Sequence, residues 1–345
     1  MEKKPLISVV MSVYNDEQYL RQSLDSIFAQ TIQDFELIII DDASSDRTVE
    51  IIKEYCDERI CLYQNEINQG LTKNLNRGIS MARGVYIARM DGDDICRPNR
   101  FERQIQWLDI HPELMLISCR THMFGEDDLI SWIYGTSKQL QAMMLIRPVL
   151  AHPGFMMRRE LVEKEGFYYD ESYRSAQDYN FAVRVAQRFG IGIVPEILLD
   201  YRVHRKQVSS RLGNEQSANA DRVRKLQLDC LGIGLDKRQE QVYYAWAQEV
   251  RDCDPSYYLE AKELIRVFAK HNEEKRIYDQ KVLVRELKKL LFQWIIRSKS
   301  KKLPVYAFLT CRFQLGDWYL FIKKGLEIIK HKFCEKRIRK ERKPV

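Results

Sequence analysis

The chain opens on an apolar, β-branched run, "LISVVMSVY" (residues 6–14), which predicts a strand. The period then changes. Across "DEQYLRQSLDSIFAQ" (16–30), Tyr19, Leu20, Ser23, Leu24, Ile27 and Phe28 share one helical face, with acids in the first turn. "FELIIIDD" (35–42) reads as a second strand. "SSDRTVEIIKEYC" (44–56) reads as a helix capped by Ser44 or Ser45, with Val49, Ile52 and Tyr55 turned inward. A third strand (59–65), a helix over 71–84 that stops at a glycine, and a fourth strand (85–90) follow. Such alternation predicts a parallel sheet with helices on both faces, in which ligands collect at the carboxyl ends of the strands.

The acids sit at those ends. Asp41 and Asp42 close the second strand, and Asp91, Gly92, Asp93 and Asp94 close the fourth, so neighbouring strands would open both clusters onto one crevice. Carboxylates this close repel one another and resist losing water. A metal ion, a cationic substrate or a helix N-terminus would relieve them, with Asp94 as a candidate cap for a helix beginning near Pro98. The first glycine in the chain is Gly70, so the first two strand-to-helix turns hold neither a GxGxxG fingerprint nor a P-loop. A diphosphate bound there would need a cation. Gly92 lets the turn bend so that Asp91 and Asp93 can face Mg²⁺ or Mn²⁺, which would offset the charge of a departing diphosphate. A plain polar turn is the alternative.

Residues 152–190 end in a helix carrying Phe181, Val185 and Phe189; 191–210 read as a strand or two and a polar loop; the chain is helical from about 215 to 284. Three segments are expected: an α/β domain carrying the acidic strand ends (1–212), a helical extension (213–284) and a basic amphipathic region (285–345). The 345 residues are 45% hydrophobic and carry a net charge of +7, much of it beyond Val284. Arg312 and Asp317 interrupt the apolar pattern there, so a membrane span is not expected. The region could lie on an anionic bilayer or pack as an ordinary helical subdomain. Eight cysteines without CxxC pairs or zinc spacing argue for reduced thiols and a cytoplasmic protein.

In order, "ISVVMSVYN", "IIIDDASSD", "NQGLTKNLNRGI", "GVYIARMDGDD" and "SAQDYNFAVRV" resemble the family 2 glycosyltransferases over roughly the first 210 residues. The resemblance implies the α/β GT-A nucleotide-sugar-binding fold, with a mainly parallel central sheet and, here, a helical C-terminal region. It implies metal-dependent, inverting transfer of a hexosyl or N-acetylhexosaminyl group from a nucleotide-diphosphate sugar, expected to be a UDP-sugar. The acceptor would be a glycan or a polyprenyl-diphosphate-linked oligosaccharide in surface polysaccharide synthesis, and the enzyme cytoplasmic and peripheral on the inner membrane face. Ser12, Val13, Tyr14 and Asn15 match the lining of the nucleotide pocket. Asp42, with Asp41 beside it, matches the acid that bonds the nucleobase or ribose.

Asp91 and Asp93 match the DxD that holds Mn²⁺ or Mg²⁺, Asp93 more directly, and Asp178 matches the catalytic base. His204, in "YRVHRKQVSS", resembles a loop histidine that contacts metal or phosphate. By position alone, Asp178 reads as a helix N-cap and His204 as a surface histidine; His152 is expected on the acceptor side or in a structural role. Two departures stand out. Gln177 precedes Asp178 where a glutamate is usual, and Leu75 stands where many relatives carry arginine, which leaves Lys73 or Arg77 for a phosphate or base contact. A polyprenyl-phosphate sugar synthase would share this fold and differ in acceptor. A sugar-nucleotidyltransferase would need a glycine-rich basic first turn that "VYNDEQYL" lacks, and a nucleic-acid binder would leave the ordered motifs unexplained.

Overall fold

The computed structural model describes residues 4–204 and 213–297. Four parallel strands form one half of the sheet in the spatial order β3-β2-β1-β4: β1 (Ile7–Val13), β2 (Phe35–Asp41), β3 (Ile60–Gln64) and β4 (Tyr86–Asp91). The helices α1 (Leu20–Phe28), α2 (Thr48–Glu54) and α3 (Leu71–Met81) connect them. β1 and β2 are covered on both sides, which is why they read as unbroken apolar runs instead of alternations. Val9, Met11, Leu37, Ile39 and Ala88 join Leu20, Leu24 and Ile27 of α1 in one core. Each large apolar side chain buried there contributes about 1.5–3 kcal/mol.

Past β4 the sheet turns mixed. β8 (Met156–Arg158) lies antiparallel between β4 and β6 (Leu114–Gly125), and β6 runs parallel to β9 (Gly190–Val203). The short β5 (Ile95–Cys96) pairs antiparallel with β9, and β7 (Leu129–Ile130) with β6. The expected strand or two after residue 190 is thus one long strand, bent by register shifts against β6. Helix α4 (Arg100–Ile110) follows β5; α5 (Ser137–Met144), α6 (Glu160–Glu163) and α7 (Gln177–Ala186) complete this half of the chain.

Several local expectations shift. α1 begins at Leu20, because residues 16–19 form a turn in which the Tyr19 and Leu20 amides bond the Asp16 carbonyl. Neither Ser44 nor Ser45 caps α2: Asp46 accepts from the Thr48 amide at 3.0 Å, and the inward face is Thr48, Ile51 and Ile52. Phe189 falls beyond α7.

The chain divides into two units, one of Met1–Ser137 with Leu150–Ala220, the other of Lys138–Val149 with the residues from Asp221 onward. The described helices from residue 213 are α8 (Gly213–Cys230), α9 (Lys237–Ala247), α10 (Ser256–Lys275) and α11 (Gln280–Arg297). α9 starts on a capping box between Asp236 and Gln239. The ring of Trp294 of α11 lies 4.5 Å from that of Tyr258 of α10, tilted by 48°, and its indole N–H donates to the Val250 carbonyl. α11 runs through residues 284 and 285 without a break. Among the described residues no helix is long and apolar enough to cross a membrane. Most of the basic segment expected at a bilayer, 298–345, lies outside the described residues, as do 205–212 of the loop after His204.

Candidate active site

β1 stands between the two acidic strand ends. Val13 pairs with Asp41 across one edge and Ser12 with Asp91 across the other, so both clusters open at the carboxyl end of the same strand. The turn after β1 is tied to the turn after β2. Asn15, at φ 56°, donates its amide to Ser44 Oγ (2.9 Å) and accepts from the Ser45 amide (2.8 Å), while the Asp16 amide reaches Thr48 Oγ1 (2.8 Å). Asparagine tolerates this left-handed backbone better than most residues. Tyr14 is left 46% exposed above the turn.

The acids of β2 divide. Asp42 is committed to the β3–α3 connection, accepting from Asn65 Nδ2 (2.9 Å) and from the amides of Gln69 (2.7 Å) and Gly70 (2.9 Å). Asp41 accepts only a long bond from the Ser44 amide (3.3 Å), and its Oδ1 is buried without a partner. Asn74 of α3 donates to Ser12 Oγ (3.1 Å), and Leu75 is core. Of the two cations considered for a phosphate or base, Lys73 is exposed, whereas Arg77 donates to Asn65 Oδ1 (2.7 Å) and lies over the Tyr63 ring.

At the end of β4, Asp91 forms a two-pronged pair with Arg89, a buried strand residue that sequence reading passed over. Its signal was visible: a lone cation inside the apolar run "YIARM", which burial permits only with a partner. Burial pushes the Asp91 carboxyl up to about 6; Arg89 opposes this, and the charges of Asp93 and Asp178 reinforce it. Asp93 holds His204 Nε2 at 2.9 Å through Oδ2. Asp94 is not a helix cap. It is fully buried, accepts the Arg202 amide at 2.8 Å through Oδ1, leaves Oδ2 without a partner, and is held well above the ordinary carboxylate range by burial and its two acidic neighbours. α4 is entered through Asn99 instead.

A fourth carboxylate, Asp16, completes the crowd. Its Oδ2 accepts the Tyr14 amide (3.2 Å), and burial together with the Asp93 charge pushes it up to about 7. A Cβ at position 92 would stand 2.8 Å from Asp16 Oδ2 and 3.2 Å from Val13 Cγ1, so the glycine is what lets the two loops meet. One ligand atom from each of Asp91, Asp93 and Asp94 lies within 4.8 Å of the others. Converging hard oxygens, one of them a buried acceptor without a partner, fit Mg²⁺ or Mn²⁺. Asp91 can serve both Arg89 and a cation, since a carboxylate has about four acceptor positions.

Asp178 reaches the same neighbourhood from a separate segment. It is the second residue of α7, behind Ala176 in a left-handed conformation (φ 55°), so it lies inside the first turn and is not the N-cap. Burial raises its carboxyl above the usual range, against the Tyr179 amide and the charge of Arg89. Gln177 beside it is buried with Oε1 unpartnered. His152 donates to or accepts from the Tyr169 hydroxyl at 2.9 Å and is kept neutral by burial and by Arg89. Arg89 therefore acts on Asp91, Asp178 and His152 from one buried position.

A family model, glycosyl transferase family 2, matches residues 8–166. The chain is 34% identical over 223 residues to an uncharacterized glycosyltransferase of Methanocaldococcus jannaschii, covering 62% of this chain and 76% of that one. It is 30% identical over 211 residues to the O-antigen biosynthesis glycosyltransferase WbnJ of Escherichia coli, covering 58% and 81%. The solved structure of S. aureus TarS 1–349 with UDP-GlcNAc aligns over 87% of this chain and 89% of that one, with a TM-score of 0.57 at 17% identity, a likeness of fold. The mixed sheet with its helical continuation is the GT-A architecture that the motif order implied. Its acids at the ends of β2 and β4 stand where that architecture gathers ligands and fall within the residues the family model matches, and the Methanocaldococcus relative is covered over three quarters of its length: the chain belongs to glycosyltransferase family 2.

Proposed function

We propose that this glycosyltransferase moves a sugar, with inversion, from a nucleotide-diphosphate donor to a glycan or lipid-linked oligosaccharide acceptor in surface polysaccharide synthesis. The observation that carries the reading is the meeting of the Asp91–Asp93–Asp94 group with Asp178, a carboxylate from a separate segment whose charge Asp91 senses. Asp93, with Asp91 and His204, would hold Mn²⁺ or Mg²⁺, which supplies positive charge to the leaving diphosphate. Ser12, Val13, Tyr14, Asn15 and Asp41 would receive the nucleoside, and the unpartnered Asp41 Oδ1 is better placed to accept an N–H than Asp42, whose carboxylate already accepts three. Lys73 is the exposed cation left for a phosphate contact.

Asp178 takes the proton from the acceptor hydroxyl as its oxygen bonds the anomeric carbon, and the bond from that carbon to the diphosphate oxygen breaks on the opposite face. The nucleoside diphosphate leaves with the electron pair. A positioned base contributes about 10²–10⁴-fold. WbnJ acts in O-antigen biosynthesis and TarS was solved with UDP-GlcNAc, so a UDP-sugar and a surface glycan are the classes to test first. Peripheral attachment at an anionic membrane face belongs to this proposal on sequence grounds.

The test is a thermal-shift panel of UDP, GDP and dTDP sugars with and without Mn²⁺, followed by turnover of Asp93→Ala and Asp178→Asn. Asp93→Ala is expected to lose both metal-dependent nucleotide binding and transfer. Asp178→Asn keeps the binding and loses at least 10²-fold in rate. Normal turnover by Asp178→Asn removes it as the base, and a chain stabilised by none of the donors removes the reading.

A further inference from the structure

Arg202 lies near the end of β9, two residues before His204. Its guanidinium lies over two rings, 4.2 Å from the centroid of Tyr19 and 4.4 Å from that of Phe124. From there Nε donates to the Asp93 carbonyl at 2.8 Å and Nη2 to Gln22 Oε1 at 2.6 Å, while the Arg202 amide donates to Asp94 Oδ1. His204, which bonds Asp93 Oδ2, has its ring 5.1 Å from the same Tyr19. One strand end therefore grips Asp93 at its carbonyl and at its carboxylate, and Asp94 at its carboxylate.

Contact with two aromatic faces restricts the plane of the guanidinium, and a restricted plane restricts the direction of each N–H. Rotation of the Asp93–Asp94 peptide would break the bond from Nε and strain the one from the Arg202 amide. The loop needs such restraint because its carboxylates, with Asp16, repel one another in the absence of a cation. A ligand set held in place before the ion arrives loses less freedom on binding it.

We propose that Arg202 is a positioning residue for the metal loop: it holds Asp93 in the orientation that receives the ion and delivers His204 to it, without touching donor or metal. This rests on the reading of Asp93 as a metal-holding carboxylate. Lysine at this position could not reach the Asp93 carbonyl and Gln22 together.

The experiment uses the full chain, titrating Mn²⁺ by electron paramagnetic resonance with saturating UDP, GDP or dTDP, and measuring hydrogen exchange of the 91–96 amides without metal. Arg202→Met is expected to weaken Mn²⁺ binding at least tenfold and to speed exchange in the loop. Arg202→Lys falls between it and wild type. Arg103→Met, which removes an exposed pair with Glu196 elsewhere on β9, changes neither. The effects of Arg202→Met and His204→Ala combine to less than their product, since both act on Asp93.

Mn²⁺ affinity within twofold of wild type overturns the proposal. So does an equal loss of nucleotide binding in EDTA, which would make Arg202 a direct phosphate contact. If Arg202→Met does not fold, Arg202→Lys and Gln22→Ala carry the same criteria, with a threefold weakening expected of each. Wild-type chain that binds Mn²⁺ with none of the nucleotides overturns the parent reading, and loop exchange unchanged by these variants then overturns this one as well.

Discussion

Arg89→Met tests whether the buried guanidinium works by charge or by bulk. The Arg89 side chain is 4% exposed and that of its partner Asp91 26% exposed. Removing one member of a fully buried pair costs about 3–5 kcal/mol, and the partial exposure of Asp91 brings this to about 2–3 kcal/mol. For a unit of this size that is a fall in Tm of about 5–10 °C. The sign of the pH dependence follows from Asp91. Its folded carboxyl already sits at about 6, above the unfolded 3.8, so its ionised form costs stability above the folded value and the cost fades as pH falls. Without Arg89 that folded value rises further, so the deficit of the variant is largest near pH 8 and narrows toward pH 5. Urea denaturation at pH 5, 7 and 8 on wild type, Arg89→Met, Asp91→Asn and the double variant is the assay, with a coupling of at least about 1 kcal/mol expected at pH 8. A deficit that does not vary with pH, together with additive single effects, would refute the charge argument and leave Arg89 as packing.

Two further outcomes follow from the same crowd of acids. Asp16→Asn should stabilise the metal-free chain at pH 8 and leave it nearly unchanged near pH 4, because a carboxyl held at about 7 in the fold and at 3.8 in the unfolded chain costs stability that grows between those two values and is complete above the higher one; the shift from 3.8 corresponds to about 4 kcal/mol, which solvent screening at this partly exposed group reduces to about 1–2 kcal/mol. Equal melting temperatures at pH 8 would count against it. Because burial raises Asp178, and a base works only when ionised, the acid limb of kcat/KM should lie above the ordinary carboxylate range; a limb at or below about pH 4 in the pH–rate profile would remove that assignment.

Much of this was legible in the residues. The runs 6–14 and 35–42 announced buried parallel strands because both faces are covered, and the motif order placed Asp91, Asp93 and Asp178 as candidates before any coordinate. What was not legible came from partners distant in sequence. β6 was missed because Arg120 and His122 interrupt its pattern, and both find partners only in the folded chain: Arg120 the Ser131 carbonyl, His122 the carboxylates of Asp128 and Asp200. Asp94 read as a candidate cap because aspartate is a preferred N-cap and a helix was expected to begin shortly after it, near Pro98; its bond to the Arg202 amide spans 108 residues. Asp16 looked like an ordinary first-turn acid until Gly92 was brought against it.

The sequence by itself determined the strand runs of the first half, the family and the inventory of acids, since periodicity and motif order are local properties. Tertiary structure decided which acids are ionised, which are already spent on holding loops, and which cation stands beneath them. Those outcomes depend on burial and on charges brought together across the sheet: Arg89 under Asp91, Asp42 engaged three times by the β3–α3 connection, and Arg202 gripping Asp93 from the end of β9. Local pattern carries no information about desolvation or long-range pairing, and the chemistry of these carboxylates is set by both.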